Sequence, residues 1–144
     1  MANVEASIVL KRTYDVPVAR LWRAWSTAGE LAQWYRPSIR HTIDFAECDF
    51  RVGGVYRVGF SLGDESMIEV GRYIEIIAMQ KIVFEEQVKL AGAPHHSTLD
   101  QIDFAPLDGS RTQLVVTSTG YEVWNIGGGI NGLVESLAQF VEHG

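Results

Sequence analysis

Cysteine is almost absent from this chain. Cys48 stands alone among 144 residues, which excludes an internal disulfide and any zinc or iron–sulfur site built on several thiolates. No apolar run approaches the ~20 residues that a membrane-spanning helix needs. The opening residues, MANVEASIVLKR, lack a charged region followed by an apolar signal core, so the expectation is a soluble protein of the reducing cytoplasm. Positive charge is in short supply: 12 Lys and Arg stand against 18 Asp and Glu, a formal net charge of −6. A compact body of that sign repels phosphate backbones and anionic lipid, which argues against nucleic-acid and membrane partners. There is no internal repeat, charge block or low-complexity linker. Ser118 has no nucleophile-elbow context.

What is present is material for a core. Hydrophobic residues make up 47% of the chain and charged residues 21%, and a chain of this length buries roughly 70% of its extended surface in one domain. We therefore read residues 1–144 as a single unit. Residues 7–13 (SIVLKRT) read as a strand. After Pro17, the residues Val18, Leu21, Trp22 and Trp25 recur at helical spacing. Thr27 and Glu30 have the spacing of a capping box and open a second short helix, which Pro37 should end by restricting Arg36. Six strands follow, at about 40–50, 54–62, 67–77, 81–90, 97–105 and 111–119. They are separated by turn residues at Gly53-Gly54, Gly63-Asp64, 91–94 and Asp108-Gly109. From Ile130 to His143 an apolar stripe of Ile130, Leu133, Val134, Leu137, Ala138 and Val141 marks one long amphipathic helix. The order predicts an α+β helix grip, a seven-stranded curved antiparallel sheet around the last helix. Such a sheet rarely fills all the space beneath one helix, so a cavity is expected there.

Lys11-Arg12-Thr13-Tyr14-Asp15 with Pro17, Leu21-Trp22-Arg23-Ala24-Trp25, and Leu31 through Pro37 resemble the opening of the Hsp90-ATPase-activator-homologue-like (AHSA1-like) family of the START-like, or Bet v 1-like, superfamily (SRPBCC). Asp49 through Gly54 resembles its Asp-x-Arg-x-Gly-Gly signature. Gly71 through Ile76, Lys81 through Phe84, and Thr112 through Tyr121 resemble its later strands. The resemblance implies the helix-grip fold with an internal, mostly apolar cavity that takes lipids, polyketides or other hydrophobic compounds. It also implies a chaperone partner as an alternative, through the family's name. Two positions depart from the pattern: Gly129-Ile130 where Gly-Trp is common, and Glu85 or Glu86 where an aromatic is common.

Period two in 54–62 places Tyr56, Val58, Phe60 and Leu62 on one face, assigned to the interior. In 81–90, Ile82, Phe84, Glu86 and Val88 share a face. If that face is inward, Glu86 is a carboxyl in an apolar setting with a raised pKa; a register shift would put it in water. Glu75 beside Tyr73 has the same ambiguity, because Ile74 and Ile76 could equally be the buried set. Asp49 and Arg51, two apart on a strand, read as an ion pair anchoring the Gly53-Gly54 turn. Trp22, Trp25, Trp34 and Tyr35 either close one end of the core or gate a cavity mouth. His95 and His96, as strand neighbours, point to opposite faces and do not chelate easily; neither a metal nor a cofactor is expected. Cys48 reads as a small strand residue.

The leading expectation is a non-enzymatic binder of a small hydrophobic molecule, lined by Trp34, Tyr56, Val58, Phe60, Phe84, Leu114, Val116, Leu133 and Leu137, with Glu86 and Ser118 as polar contacts. The alternatives are an Hsp90-type co-chaperone, and a cyclase- or dehydratase-like enzyme using Glu86 or Glu75 with Tyr56 or Tyr73. A homodimer through an exposed strand or the sheet's outer face is left open.

Overall fold

Strands joined by short turns pair with their chain neighbours, and that rule builds most of this sheet. In the computed structural model the described residues are 6–90, 93–120 and 126–143, and the described side chains are those at 7–87, 97–120 and 130–143. The strands are β1 (Ala6–Tyr14), β2 (Thr42–Cys48), β3 (Val55–Leu62), β4 (Glu65–Ile77), β5 (Lys81–Leu90), β6 (Ala93–Pro106) and β7 (Thr112–Gly120). They form one antiparallel sheet in the order β1-β7-β6-β5-β4-β3-β2. β1 lies at the edge away from β2 and pairs with β7, Leu10 opposite Val116 and Tyr14 opposite Thr112. Two short helices, α1 (Val18–Ser26) and α2 (Ala28–Trp34), carry the chain from one edge to the other, and α3 (Ile126–His143) follows the last strand. Among the described residues, no helix is long and apolar enough to cross a membrane. The architecture is the α+β helix grip.

Several local expectations are corrected. α2 does begin after Thr27, but no side chain caps it. The Thr27 hydroxyl instead donates to the Arg23 carbonyl, and Glu30 binds Arg20 at 2.6 Å and Arg23 at 2.7 Å. Two guanidinium groups outcompete a backbone N–H for one carboxylate. β2 stops at Cys48, so Asp49 and Arg51 lie in the turn rather than on a strand; they still pair, at 2.8 Å and exposed to solvent. Leu62, at the end of β3, is exposed, not interior. α3 starts at Ile126, ahead of the apolar stripe.

The buried face of β4 is decided by a bulge. The β4–β5 register shifts between Tyr73 and Glu75, and an extra residue in one strand moves the residues after it to the other face. Tyr73 is buried, Ile76 packs against the core three residues later, and Ile74 is exposed. Glu75 points away from the core and pairs with Lys81 at 3.0 Å.

Aromatic rings from α1 and the end of α2 pack edge-on against the concave face and against one another. Trp22 packs on Phe104, Trp25 on Trp34, and Tyr35 on Tyr56, with ring centres 5.0, 4.8 and 5.7 Å apart; this geometry suits the quadrupoles of the rings. The C-terminal half of α3 is sewn to its surroundings. Tyr14 donates to the Val134 carbonyl, and Ser136 donates to the Trp34 carbonyl at 2.8 Å while accepting from Arg36 Nε at 3.0 Å. At Gly132 the helix lies so near Pro37 that an added Cβ would meet the Pro37 carbonyl oxygen at 1.7 Å. Only a residue without a side chain fits there.

Gly71 makes the comparable accommodation inside the sheet. The Tyr56 ring lies over its Cα, and a Cβ there would meet Tyr56 Cε2 at 1.8 Å. Gly71→Ala is expected to lower the unfolding free energy by about 1–3 kcal/mol, the usual penalty of overpacking, measured by urea denaturation. In a Tyr56→Leu background the same substitution should cost less, because the ring it strikes has gone; equal stability of Gly71→Ala and the parent would refute this account.

Candidate functional site

The space left between the sheet and the first half of the α3 stripe is a cavity of about 80 Å³. A single water occupies ~10–15 Å³ by the same measure, so there is room for several waters or a small molecule. Its walls are apolar: Phe60 and Met67 from β3 and β4, Phe84 from β5, Ile102 and Val116 from β6 and β7, and Ile130 and Leu133 from α3. Trp25 and the Tyr35-Arg36-Pro37 segment close one side. The strands also contribute five polar side chains, Glu69, Glu86, Thr98, Asp100 and Ser118.

Strand register explains this polar group. Glu86 stands opposite Gly71 on β4 and Thr98 on β6, Phe84 opposite Asp100, and Asp100 opposite Ser118 on β7. Residues directly opposite share a face, so Glu86, Thr98, Asp100 and Ser118 converge across three neighbouring strands. Glu69 joins them from β4. Its Oε2 accepts from the hydroxyls of both Tyr35 and Tyr56, each at 2.5 Å, and the two hydroxyls lie 3.2 Å apart. Burial raises the Glu69 pKa to about 7 against the relief those two donors provide. Glu86 is pushed well above the usual carboxyl range, first by burial, then by the charges of Asp100 and Glu69 and by its hydrogen bond to Asp100. Two carboxyls in a hydrogen bond need a proton between them, and the upward shift of Glu86 makes it the group that supplies it. Asp100 also accepts from the Ser118 hydroxyl at 2.5 Å.

Two buried polar atoms have no hydrogen-bond partner among the described residues: Thr98 Oγ1 and Trp25 Nε1. Both residues line the cavity. Arg36 lines it too, but its Nε and Nη1 are engaged by Ser136 Oγ and the His41 carbonyl. Among the described residues, no lysine or arginine forms an ion pair with Glu69 or Asp100, and no three His, Cys, Asp or Glu side chains are placed to hold a metal ion.

Of the residues that the sequence singled out as lining, Phe60, Phe84, Glu86, Val116, Ser118 and Leu133 come together at the cavity. Tyr56 lies instead at a smaller neighbouring hollow of about 10 Å³, with Leu31, Tyr73 and Ile82. Trp34, Val58, Leu114 and Leu137 do not reach the cavity wall; they are buried in the core. Trp34 is held there by its indole N–H, which donates to the Ala24 carbonyl at 2.9 Å. The helix-pair aromatics divide in the same way, Trp25 and Tyr35 lining the cavity and Trp22 and Trp34 packing behind it. Cys48 is half-buried, with its sulfur 3.3 Å from the Tyr73 hydroxyl, and burial raises its thiol pKa. His95 and His96 lie outside the described side chains.

Glu69, Thr98 and Asp100 were missed by sequence reasoning. For Asp100 and Thr98 a signal existed, since both alternate in register with Ile102 and Phe104. For Glu69 the signal pointed the wrong way, because Ile68, Val70, Ile74 and Ile76 make the opposite face look like the buried one.

These features define the class: a helix-grip domain with a cavity beneath its last helix. The profile of the family described as "Activator of Hsp90 ATPase homolog 1-like protein" matches residues 15–142, and the chain belongs to that family. No curated protein matches the sequence. Among solved structures, a protein from Rhizobium leguminosarum is similar over 99% of this chain and 98% of its own, with a TM-score of 0.82 and 21% identity. One from Chromobacterium violaceum is 27% identical, with a TM-score of 0.81 over 96% and 98% of the two chains. An AHSA1-like protein from Aeromonas hydrophila, 17% identical, superposes with a TM-score of 0.78 over 95% and 92%.

A carboxyl whose folded-state pKa exceeds its unfolded value stabilises the fold fully below the unfolded value, and that contribution is lost as pH rises through the folded one. For Glu69 the window runs from about 4.5 to about 7. The expected result is a Tm several degrees lower at pH 7.5 than at pH 5. His41, whose pKa is lowered mainly by burial, acts in the opposite sense, so the comparison that isolates the carboxyl is Glu69→Gln. That variant should show a flatter Tm–pH profile, and a profile as steep as the parent's would refute the assignment.

Proposed function

We propose that this protein binds a small, largely apolar molecule in the cavity beneath α3. The observation that supports this reading is the unfilled space itself. Leu133 and Ile130 come down from the helix and Phe60, Phe84 and Val116 rise from the sheet without closing it, although protein interiors are normally packed to crystal density. Transfer of apolar ligand surface into such a space supplies affinity at roughly 25 cal/mol per Å², and a few convergent polar groups set orientation. The family and its fold are associated with ligand-binding and co-chaperone-type roles. The co-chaperone role draws on the family's description alone, whereas the cavity is a feature of this chain.

A second reading, acid–base catalysis on the bound molecule, is favoured by one observation: the cavity holds carboxyls whose pKa values are raised by burial, as general acids and bases need. Glu86 meets this requirement. Glu75, the other carboxylate considered, faces away from the core beside Lys81.

Native mass spectrometry after mild purification, together with a thermal-shift screen of lipids, aromatic metabolites and short-chain amphiphiles, tests the binding reading. Binders should raise Tm in the parent protein. They should lose that effect in Leu133→Trp, which fills the cavity from a half-exposed helix position and is expected to keep the parent's circular dichroism. Absence of any co-purifying or stabilising compound, or binding undiminished in Leu133→Trp, would sink it.

A further inference from the structure

We propose that the cavity is selective for a molecule carrying a protonated amine, with the ammonium seated among Asp100, Glu86 and Thr98 and its apolar body against Phe60, Val116 and Leu133. This deepens the binding reading and rests on it. The first support is the position of the carboxyls. Asp100 is 6% exposed and Glu69 7%, so both are withdrawn from water at one cavity, and neither is ion-paired with a lysine or arginine among the described residues. Buried carboxylates call for a compensating charge or for donors; Glu69 has the hydroxyls of Tyr35 and Tyr56, and Asp100 has that of Ser118. Arg36, the one guanidinium among the described residues of the wall, is turned toward Ser136 and the His41 carbonyl.

The second support is independent of the carboxyls. Thr98 is 6% exposed, lines the cavity, and its Oγ1 has no hydrogen-bond partner among the described residues. A buried hydroxyl left unpaired costs free energy that a bound polar group would recover. Thr98 is the cross-strand partner of Glu86, and Asp100 is the next residue on the same face of β6. The three oxygen-bearing groups are therefore neighbours on one surface, and an ammonium group has three N–H donors to distribute among them. A neutral hydroxyl could donate only once. A carboxylate ligand would add its charge to a site already crowded with acids. The protein's net charge of −6 also favours the approach of cations.

The experiment compares n-hexylamine, n-hexanol and hexanoate, equal in chain length and different in head group, by thermal shift and isothermal titration calorimetry at pH 7. Hexylamine should bind about tenfold or more tightly than hexanol, the ratio expected of charge-assisted over neutral hydrogen bonds, and hexanoate should not bind. Thr98→Val and Asp100→Asn are the matched variants. Each keeps the shape of its side chain, and the amide oxygen introduced by Asp100→Asn would still accept from Ser118. Thr98→Val should be at least as heat-stable as the parent, because an unpaired hydroxyl has gone, and each variant should lose most of the preference for amine over alcohol. Hexanol binding as tightly as hexylamine would overturn the amine preference and leave the cavity reading standing. Hexylamine binding unchanged in both variants would also overturn it, by placing the amine elsewhere. Failure of all three compounds to bind, with the lipid and metabolite screen also empty, would remove both readings together.

Discussion

A carboxylate withdrawn from water must be given donors or a proton, and Glu69 is the point where this chain meets that demand. Its donors are the hydroxyls of Tyr35, which ends α2, and Tyr56, which lies on β3, so one oxygen ties the helix pair to two strands. The same contact divides the interior. On the Tyr56 side Tyr73, Ile82 and Leu31 close in, leaving a hollow of about 10 Å³. On the other side lies the cavity of about 80 Å³, with the Glu86–Asp100 carboxyl pair. Each of these arrangements depends on Tyr56 lying flat over Gly71, a placement that any β-carbon would block.

The cavity exists because α3 is used unevenly. Its C-terminal half is drawn down onto the core through Val134, Leu137 and Ala138, and Ser136 fastens it to the end of α2. Its earlier part presents Ile130 and Leu133, which are only half-buried. Close contact at Gly132 holds that part of the helix against Pro37. A helix pinned along a curved sheet at one end and propped on a loop nearer the other cannot follow the sheet throughout. Side chains of ordinary size then leave space over the middle strands. That the space meets acids and hydroxyls comes from strand register, which sets Glu86, Thr98, Asp100 and Ser118 across from one another.

Polar residues inside a hydrophobic wall are costly to keep. Such a cluster runs against consistent local design, and violations of this kind concentrate where a protein does its work. The physical character of this pocket differs from a purely apolar hollow: its walls are largely hydrocarbon, with a cluster of carboxyls and hydroxyls set among them.

The periodicity of the chain by itself determined the element order, the antiparallel meander from β2 to β7 and the amphipathic last helix, because apolar alternation and turn chemistry act over a few residues. The inward face of β3 was legible for the same reason, through Tyr56, Val58 and Phe60. The inward face of β4 was not. Its isoleucines and valine outweigh Met67, Glu69 and Tyr73 in apolar content, and only pairing with β5, with a bulge after Tyr73, selects the side that carries Glu69. Tertiary structure alone decided which aromatics border empty space. Whether Trp25 or Trp34 faces the cavity depends on how α1 and α2 lean on each other and on the sheet, and the spacing of the two tryptophans along the chain carries no record of that packing.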